Sequence, residues 1–250
     1  MSADFILYPE TNYFSPLILD YLSEKSDLKD FYHRFPKLEN FGDQISEKAE
    51  TYDHTIRKDL VKVLRKQYST LETSEKLKQN IDLLGSEKTF TVVTGHQLNL
   101  FTGPLYFLYK IISTINLTRQ LKEKYSEYDF VPVYWMATED HDFEEINFFN
   151  LHGKKFKWNK ADERAGKTAV GYLSTKGLEE VYKLFASEIG GGENAEFLKS
   201  LFREAYLEHD NLTDATRYIA DKIFGKHGLV IIDAQDTELK KHFVPYVENE

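Results

Sequence analysis

The sequence predicts an α/β protein built on an open parallel sheet, and three observations predict it. Residues 89–93 and 130–137 are short β-branched and aromatic runs separated by a segment of helical period, which makes a strand, crossover helix, strand unit. A third apolar run, residues 229–233, follows a helical stretch and ends in Asp233. Residues 1–86 repeat apolar side chains at spacings of three and four and read as helices packed on that core.

Taken in order, Tyr13, Phe14, Leu17, Ile18, Tyr21 and Leu22 make a first apolar helix after the turn residues Asn12 and Pro16. Ile45, Ala49, Tyr52, Ile56, Leu60 and Leu64 form one stripe, which predicts a single long amphipathic helix. Leu77, Ile81 and Leu84 share one face of a shorter helix near 74–84, with Gly85 as its stop. The strand 89–93 runs into a polar turn at 94–97. The next helix carries Leu105, Leu108, Ile112 and Ile115 at helical spacing, with Thr102 as its cap and Pro104 in its first turn, where a missing N–H is harmless. Residues 146–173 suggest a hairpin or small β insertion, formed by INFFNLHGKKFKWN, a charged glycine-containing turn and TAVGYL. Residues 176–209 read as helix broken at Gly190, Gly191 and Gly192, residues 213–227 as a helix leading into the third strand, and 237–247 as the start of another helix. The expected divisions are 1–86 (helical segment), 87–147 (first βαβ of the core), 148–210 (inserted connecting region) and 211–250 (return to the core). There is no internal repeat or low-complexity tract.

Composition excludes several classes of function. The chain has 250 residues, with 32 Lys and Arg against 41 Asp and Glu, a net charge of −9. An acidic balance argues against a general nucleic-acid binder, which displaces phosphate counterions with excess Lys and Arg. The 18 Phe, 16 Tyr and 2 Trp argue against disorder. With no cysteine, disulfides, thiolate metal sites and a cysteine nucleophile are ruled out together. The N-terminus lacks a basic n-region, carries Asp4 and Glu10, and does not read as a signal peptide. No stretch approaches the ~18 apolar residues a bilayer span requires. The expected compartment is the cytoplasm.

Ligands of open α/β sheets bind beyond the carboxyl ends of the strands, where three polar clusters fall. The first, Thr94, Gly95, His96 and Gln97, precedes a helix start that includes Thr102 and Gly103. Free N–H groups and the positive end of the helix dipole there favour an anion, although an ordinary strand-to-helix turn uses the same residues. In the second, five carboxylates and an imidazole crowd residues 138–145, directly after Trp135, Met136 and Ala137. Crowded carboxylates raise one another's pKa, which suits acid or base work near neutrality. Glu139, Asp140, His141 and Asp142 are its candidate catalytic residues, and a solvated acidic turn is the plain alternative. Asp233 marks the third strand end. His33, His54, His209, His227, His242 and His152 read as surface or packing residues, and Lys154, Lys155 and Trp158 as a solvated hairpin tip.

At the two main clusters the sequence resembles a known family. VVTGHQLNLFTGPLYFLYKI followed by VPVYWMATEDHDFEEIN, with NYFSPLILDYL before them and KIFGKHGLVIIDAQDTEL after, is similar to the bacillithiol biosynthesis cysteine-adding enzymes, the cysteine ligases of low-molecular-weight thiol synthesis. The resemblance covers essentially the whole chain. It implies a Rossmann-like, nucleotidyltransferase-like fold with inserted connecting domains and a C-terminal coiled coil that pairs subunits. It also implies an amide-forming reaction between the carboxylate of free cysteine and the amine of glucosaminyl malate, with ATP as the activating co-substrate and no metal. On that likeness Thr94, Gly95, His96, Gln97, Thr102 and Gly103 lie by the nucleotide or a substrate anion. Glu139, Asp140, His141 and Asp142 bind the substrate amine and ammonium groups or supply the base, and Trp135 forms one wall. There are two departures. His96 stands where many relatives carry Gln, so its imidazole is not expected to be indispensable. Family members also run to about twice this length, so the chain is expected to be an N-terminal half with an exposed sheet edge, poor solubility or dependence on the remainder. Two other functions fit the same residues: a metal-dependent hydrolase using His96, Asp140, His141 and Asp142, and a non-catalytic fragment that binds nucleotide or a partner chain.

Overall fold

The structure, a computed structural model, describes residues 5–160 and 168–249. The charged, glycine-containing turn expected between the hairpin and residue 168 lies outside the described residues. The chain divides into two compact units, Met1–Thr51 and Tyr52–Glu250.

In the first unit, short 3-10 turns connect α1 (Pro16–Leu22) and α2 (Phe41–Thr51). The first helix begins later than the apolar run suggests, because Ser15 caps it by accepting the Ile18 N–H at 3.4 Å and Pro16 supplies its first turn. Tyr21 packs edge-on to Tyr32 at 5.4 Å and against Phe35 at 5.1 Å, while Tyr13 and Leu17 stay exposed.

The expected long helix through Ile45 and Leu64 is interrupted at 52–55, and α3 (Ile56–Gln67) begins the second unit. The Asp53 carboxylate accepts both the N–H (2.9 Å) and the hydroxyl (2.7 Å) of Thr55, a local turn that competes with the helical ladder. In α4 (Glu75–Leu83), Ser74 is the cap, and Leu77, Ile81 and the following Leu84 are all buried, as their spacing predicts.

The core sheet consists of β1 (Thr89–His96), β2 (Asp129–Met136) and β5 (Val230–Asp233), parallel and in the order β1-β2-β5. The α/β class and the βαβ unit are as predicted, although β1 runs three residues further than expected and takes in Thr94, Gly95 and His96. Pro132 sits in the middle strand without breaking a ladder, because pairing with β5 begins only at Val133. The crossover helix α5 (Leu105–Lys124) lays Phe107 edge-on to Tyr134 at 5.3 Å. Successive strand residues face opposite sides, so Trp135 points away from α5, toward a groove shared with Ile56 and Leu60 of α3. The buried stripe of α5 is Phe107, Ile111, Thr114, Ile115, Thr118 and Leu121. Of the predicted face only Ile115 is buried. Leu105 is 61% and Ile112 43% exposed, because the helix is apolar most of the way round and periodicity cannot fix its phase. Nor does Thr102 cap it: Pro104 holds the cap position and no side chain caps the first turn.

After β2 comes the short helix α6 (Phe143–Ile146), then a hairpin of β3 (Phe148–Leu151) and β4 (Lys154–Lys157). His152 and Gly153 both have positive φ and form its two-residue turn. Lys154 and Lys155 follow the turn and are exposed, as expected of a solvated tip, although Lys154 pairs with Glu188 at 2.5 Å; Trp158, after the other end of β4, is instead buried at 1% exposure. TAVGYL is not a strand: Val170–Tyr172 is a 3-10 turn. Its Gly171 sits where a Cβ would lie 2.5 Å from the Thr213 hydroxyl and 2.8 Å from the Thr138 Cβ. Helices α7 (Leu178–Glu188), α8 (Glu193–Tyr206) and α9 (Leu212–Phe224) follow, with the expected glycine break between the first two. The last predicted helix divides into α10 (Thr237–Lys241) and α11 (Val244–Val247), consistent with Pro245, which has no N–H to continue the ladder. No helix among the described residues is long and apolar enough to cross a membrane.

Candidate functional site

The three core strands end level, with His96 opposite Met136 and Met136 opposite Asp233, so all three polar clusters meet at one end of the sheet. Asp233 is built into the frame there. Its carboxylate accepts the Thr138 hydroxyl at 2.5 Å and the Gln235 N–H at 2.9 Å. Its backbone is held at both the N–H and the carbonyl by the Gln67 amide, at 3.0 and 3.1 Å. Arg217 in turn donates to Gln67 at 3.0 Å. Gln67 and Arg217 are a support that sequence reading missed, because neither belongs to a motif.

Gln97 joins the other two clusters. Its side-chain nitrogen donates to Asp140 and to Glu145, each at 2.7 Å, and so spends both amide hydrogens on carboxylates. Asp140 also accepts the backbone N–H groups of His141 at 2.7 Å and Asp142 at 3.2 Å. Burial pushes the Asp140 carboxyl up, but the bonds from Gln97, Asp142 and His141 outweigh it and hold the group below the usual carboxylate range. This corrects the expectation that crowding raises it: each neighbour that reaches Asp140 is a donor. The segment is fixed from behind, where the Val170 N–H donates to the Asp140 carbonyl at 2.6 Å and the Gly171 N–H to the Thr138 carbonyl at 3.1 Å.

In front of Gln97 lies a cleft of 660 Å³ lined by His96, Gln97, Asn99, Gly103, Pro104, Leu105, Glu144, Glu145 and residues 148–150. That is the size of an ordinary small-molecule site. Its lining includes no Lys or Arg; Lys157 behind it is paired with Glu144 at 2.8 Å, and the Lys155 ammonium lies over the Phe148 ring at 3.5 Å. The uncapped first turn of α5 forms one wall, through Pro104 and Leu105. Ahead of it Phe101, Thr102 and Gly103 all adopt positive φ, a conformation that costs a non-glycine residue about 1–2 kcal/mol. Such strain persists only where the surroundings over-determine it, and it clusters at functional sites. The Asn99 amide ties this loop to the Glu145 carbonyl at 3.1 Å.

Burial, aided by the nearby Lys110 charge, lowers the His96 pKa against the opposing hydrogen bonds to the Gln97 carbonyl and Asn99. The ring is therefore neutral at neutral pH. Its Nδ1 lies 3.1 Å from the Gln97 carbonyl, which can only accept, so the proton sits on Nδ1 and the lone pair on Nε2.

The remaining candidates divide among other surfaces. Trp135 and Glu139 line a second hollow of 720 Å³ on the opposite face of the sheet, walled by Tyr52, Ile56, Leu60, Ile232, Phe243, Val244 and Val247. Thr94 lies in a furrow between β1 and α5 with Tyr106 and Tyr109. His141 and Asp142 are exposed, and Thr102 belongs to the strained loop without lining the cleft. The four residues assigned to a metal-dependent hydrolase do not converge: among the described residues no three His, Asp or Glu side chains are placed to hold an ion. Asn99, Glu144 and Glu145 complete the cleft. The two glutamates lay within the acidic cluster that sequence reading noticed, whereas Asn99 gave no signal.

This geometry coincides with a family pattern along the whole chain. The family description "Bacillithiol biosynthesis BshC, N-terminal Rossmann-like domain" matches residues 1–250. A protein of Christiangramia forsetii named "Putative cysteine ligase BshC" is 74% identical over 250 residues, covering 100% of this chain and 46% of the relative. Proteins of the same name from Flavobacterium johnsoniae and Staphylococcus saprophyticus are 59% identical over 250 residues and 30% identical over 229. These matches cover 100% and 89% of the chain, and 46% and 42% of the relatives. The chain thus spans less than half the length of the relatives it matches. With its parallel sheet and the two motifs meeting at the carboxyl ends of the strands, the chain belongs to the BshC family of bacillithiol biosynthesis, whose N-terminal Rossmann-like domain it matches from end to end.

Proposed function

We propose that the chain is the N-terminal portion of a cysteine ligase that joins the carboxylate of free cysteine to the amine of glucosaminyl malate, forming the amide of bacillithiol. The observation that carries this reading is Gln97, which holds Asp140 and Glu145 together beside a cleft with no basic side chain in its lining. Such a wall favours an ammonium group over an anion. The amine of glucosaminyl malate enters as its ammonium form, attracted by Asp140 and Glu145, and offers a hydrogen bond to Nε2 of His96. After losing one proton to water, the nitrogen attacks the activated carboxyl carbon of cysteine, and its second proton passes to water as the adduct collapses. The new C–N bond forms as the C–O bond to the activating group breaks. The hydrogen bonds to Asp140 keep its carboxylate ionised, so it meets the ammonium as a fixed negative charge.

ATP is proposed as the co-substrate that activates the carboxylate. The lining carries Glu144 and Glu145 and no Lys or Arg, which disfavours a triphosphate in this cleft, so no step is assigned to the nucleotide here. This changes the expected roles of His96, Gln97 and Gly103 from holding an anion to holding an amine. Subunit pairing through a coiled coil and a cytoplasmic location are proposed for the longer protein only. The test is direct: protein carrying this chain within the full length of its relatives is incubated with cysteine, glucosaminyl malate and ATP. Mass spectrometry should show bacillithiol and nucleotide consumption. Absence of the thiol product contradicts the reading.

A further inference from the structure

The loop that walls the cleft is held in place from the connecting region. Phe101, Thr102 and Gly103 have φ values of 48°, 69° and 56°. The Phe101 ring is enclosed by Phe149 of β3, Phe185 of α7 and Phe202 of α8, at centroid distances of 5.4, 5.1 and 5.2 Å. Its N–H donates to the Tyr206 hydroxyl at 2.7 Å. Tyr206, the last residue of α8, is buried and packs on Phe202 at 4.8 Å. Each of these partners lies at least 48 residues along the chain from Phe101, whereas the residues after Phe101 form the mouth of the cleft. Gly103 is pressed against Asn99, so closely that a Cβ there would lie 2.5 Å from the Asn99 Cβ. Asn99 in turn holds the Glu145 backbone. The loop conformation therefore sets both the start of α5 and the position of a carboxylate.

We propose that Tyr206 is a positioning residue for the cleft, and that through its hydroxyl the connecting region keeps the strained turn in its substrate-ready conformation. The inference rests on the ligase reading for the identity of the substrate, but not for the behaviour of the loop. Without the hydroxyl the Phe101 N–H has no acceptor, and the left-handed turn loses the bond that opposes its relaxation. Substrate then meets a cleft that is formed only part of the time, which weakens binding in proportion and leaves the chemical step of bound substrate intact.

The test is Tyr206→Phe, which removes one oxygen and keeps the ring, compared with Tyr218→Phe, which removes a hydroxyl bonded to Glu204 of the same helix as Tyr206 and lies outside the cleft lining. In Tyr206→Phe the Phe101 amide should exchange with solvent at least tenfold faster, while the amides of Val131 and Val133 in β2 are unchanged. In the full-length protein the KM for glucosaminyl malate should rise about tenfold with kcat within twofold. Tyr218→Phe should lower Tm without that rise in KM. An unchanged exchange rate at Phe101 overturns the proposal, as does faster exchange with unchanged KM. Absence of bacillithiol formation by the unsubstituted protein contradicts the ligase reading instead, and the exchange rate at Phe101 still decides whether Tyr206 holds the loop.

Discussion

Two hollows of nearly equal size flank the carboxyl end of the sheet, and they differ in almost every other respect. The cleft by α5, 660 Å³, is walled by pinned polar groups, an uncapped helix start and a loop under strain. The groove behind Trp135, 720 Å³, is walled by aliphatic and aromatic side chains, with Glu139, Lys240 and Glu248 as its charged residues among those described. Both contain residues that stand out in the sequence. Volume therefore does not separate the two; what does is the hydrogen bonding and backbone strain concentrated at the cleft. Every polar side chain emphasised at the cleft has a fixed partner, whereas Trp135 remains 42% exposed, its indole N–H reaching Glu139 only at 3.5 Å. An apolar surface of that kind promotes association.

The sharpest way to break this contrast is Gln97→Leu. It removes both hydrogen bonds to Asp140 and Glu145 while keeping the shape of the side chain. Bonds to charged groups are worth about 1.5–3 kcal/mol, so kcat/KM for amide formation should fall about a hundredfold. The Asp140 carboxyl should titrate higher, which carbon-detected NMR can follow. A loss of threefold or less would mean that the bridge is incidental.

Gly103→Ala probes the strain. The new Cβ would meet Asn99 at 2.5 Å in a backbone conformation that disfavours alanine. The expected loss is about 1–3 kcal/mol, a fall in Tm of roughly 5 °C by calorimetry. Gly153→Ala, also at positive φ but with nothing within 4 Å, carries only the backbone penalty and should lose less.

A smaller effect is expected at His96. A neutral ring whose Nδ1 is committed to a carbonyl offers a lone pair at Nε2, and a glutamine side-chain oxygen offers the same, so His96→Gln should stay within about threefold in KM. Because burial lowers the pKa, the neutral form dominates above 6.5 and is lost only as pH falls through the lower folded value. Amine affinity should therefore hold at pH 6.5 and decline below it in the unsubstituted protein, and that component of the decline should vanish in His96→Gln. Stability follows the same sign, since protonation of the buried ring favours the unfolded chain at low pH.

Much of this was legible in the sequence, for reasons that can be named. The βαβ unit, the apolar face of α4 and the third strand rest on local periodicity and survive intact. The polar clusters expected at the strand ends do meet there, which brought Gln97 and Asp140 into view. The phase of α5 was not legible, because Leu105, Tyr106, Tyr109 and Ile112 are as apolar as the residues it buries. The turn at Val170–Tyr172 looked like a strand because what decides it is the close approach of Gly171 to Thr138 and Thr213. The bridge from Gln97 to Asp140 and the clamp of Tyr206 on Phe101 span 43 and 105 residues, and only the level ends of β1 and β2 and the packing of α8 bring those partners together.

The contrast between the two hollows can be read in one titration. Glucosaminyl malate is added to the 15N-labelled chain while the amides of Gly103, Leu105 and Glu145 are followed together with the indole N–H of Trp135. Saturable shifts at the three amides, with the indole resonance unmoved, are the expected result. Shifts at Trp135 with the cleft amides silent would place the substrate in the apolar groove and contradict the assignment.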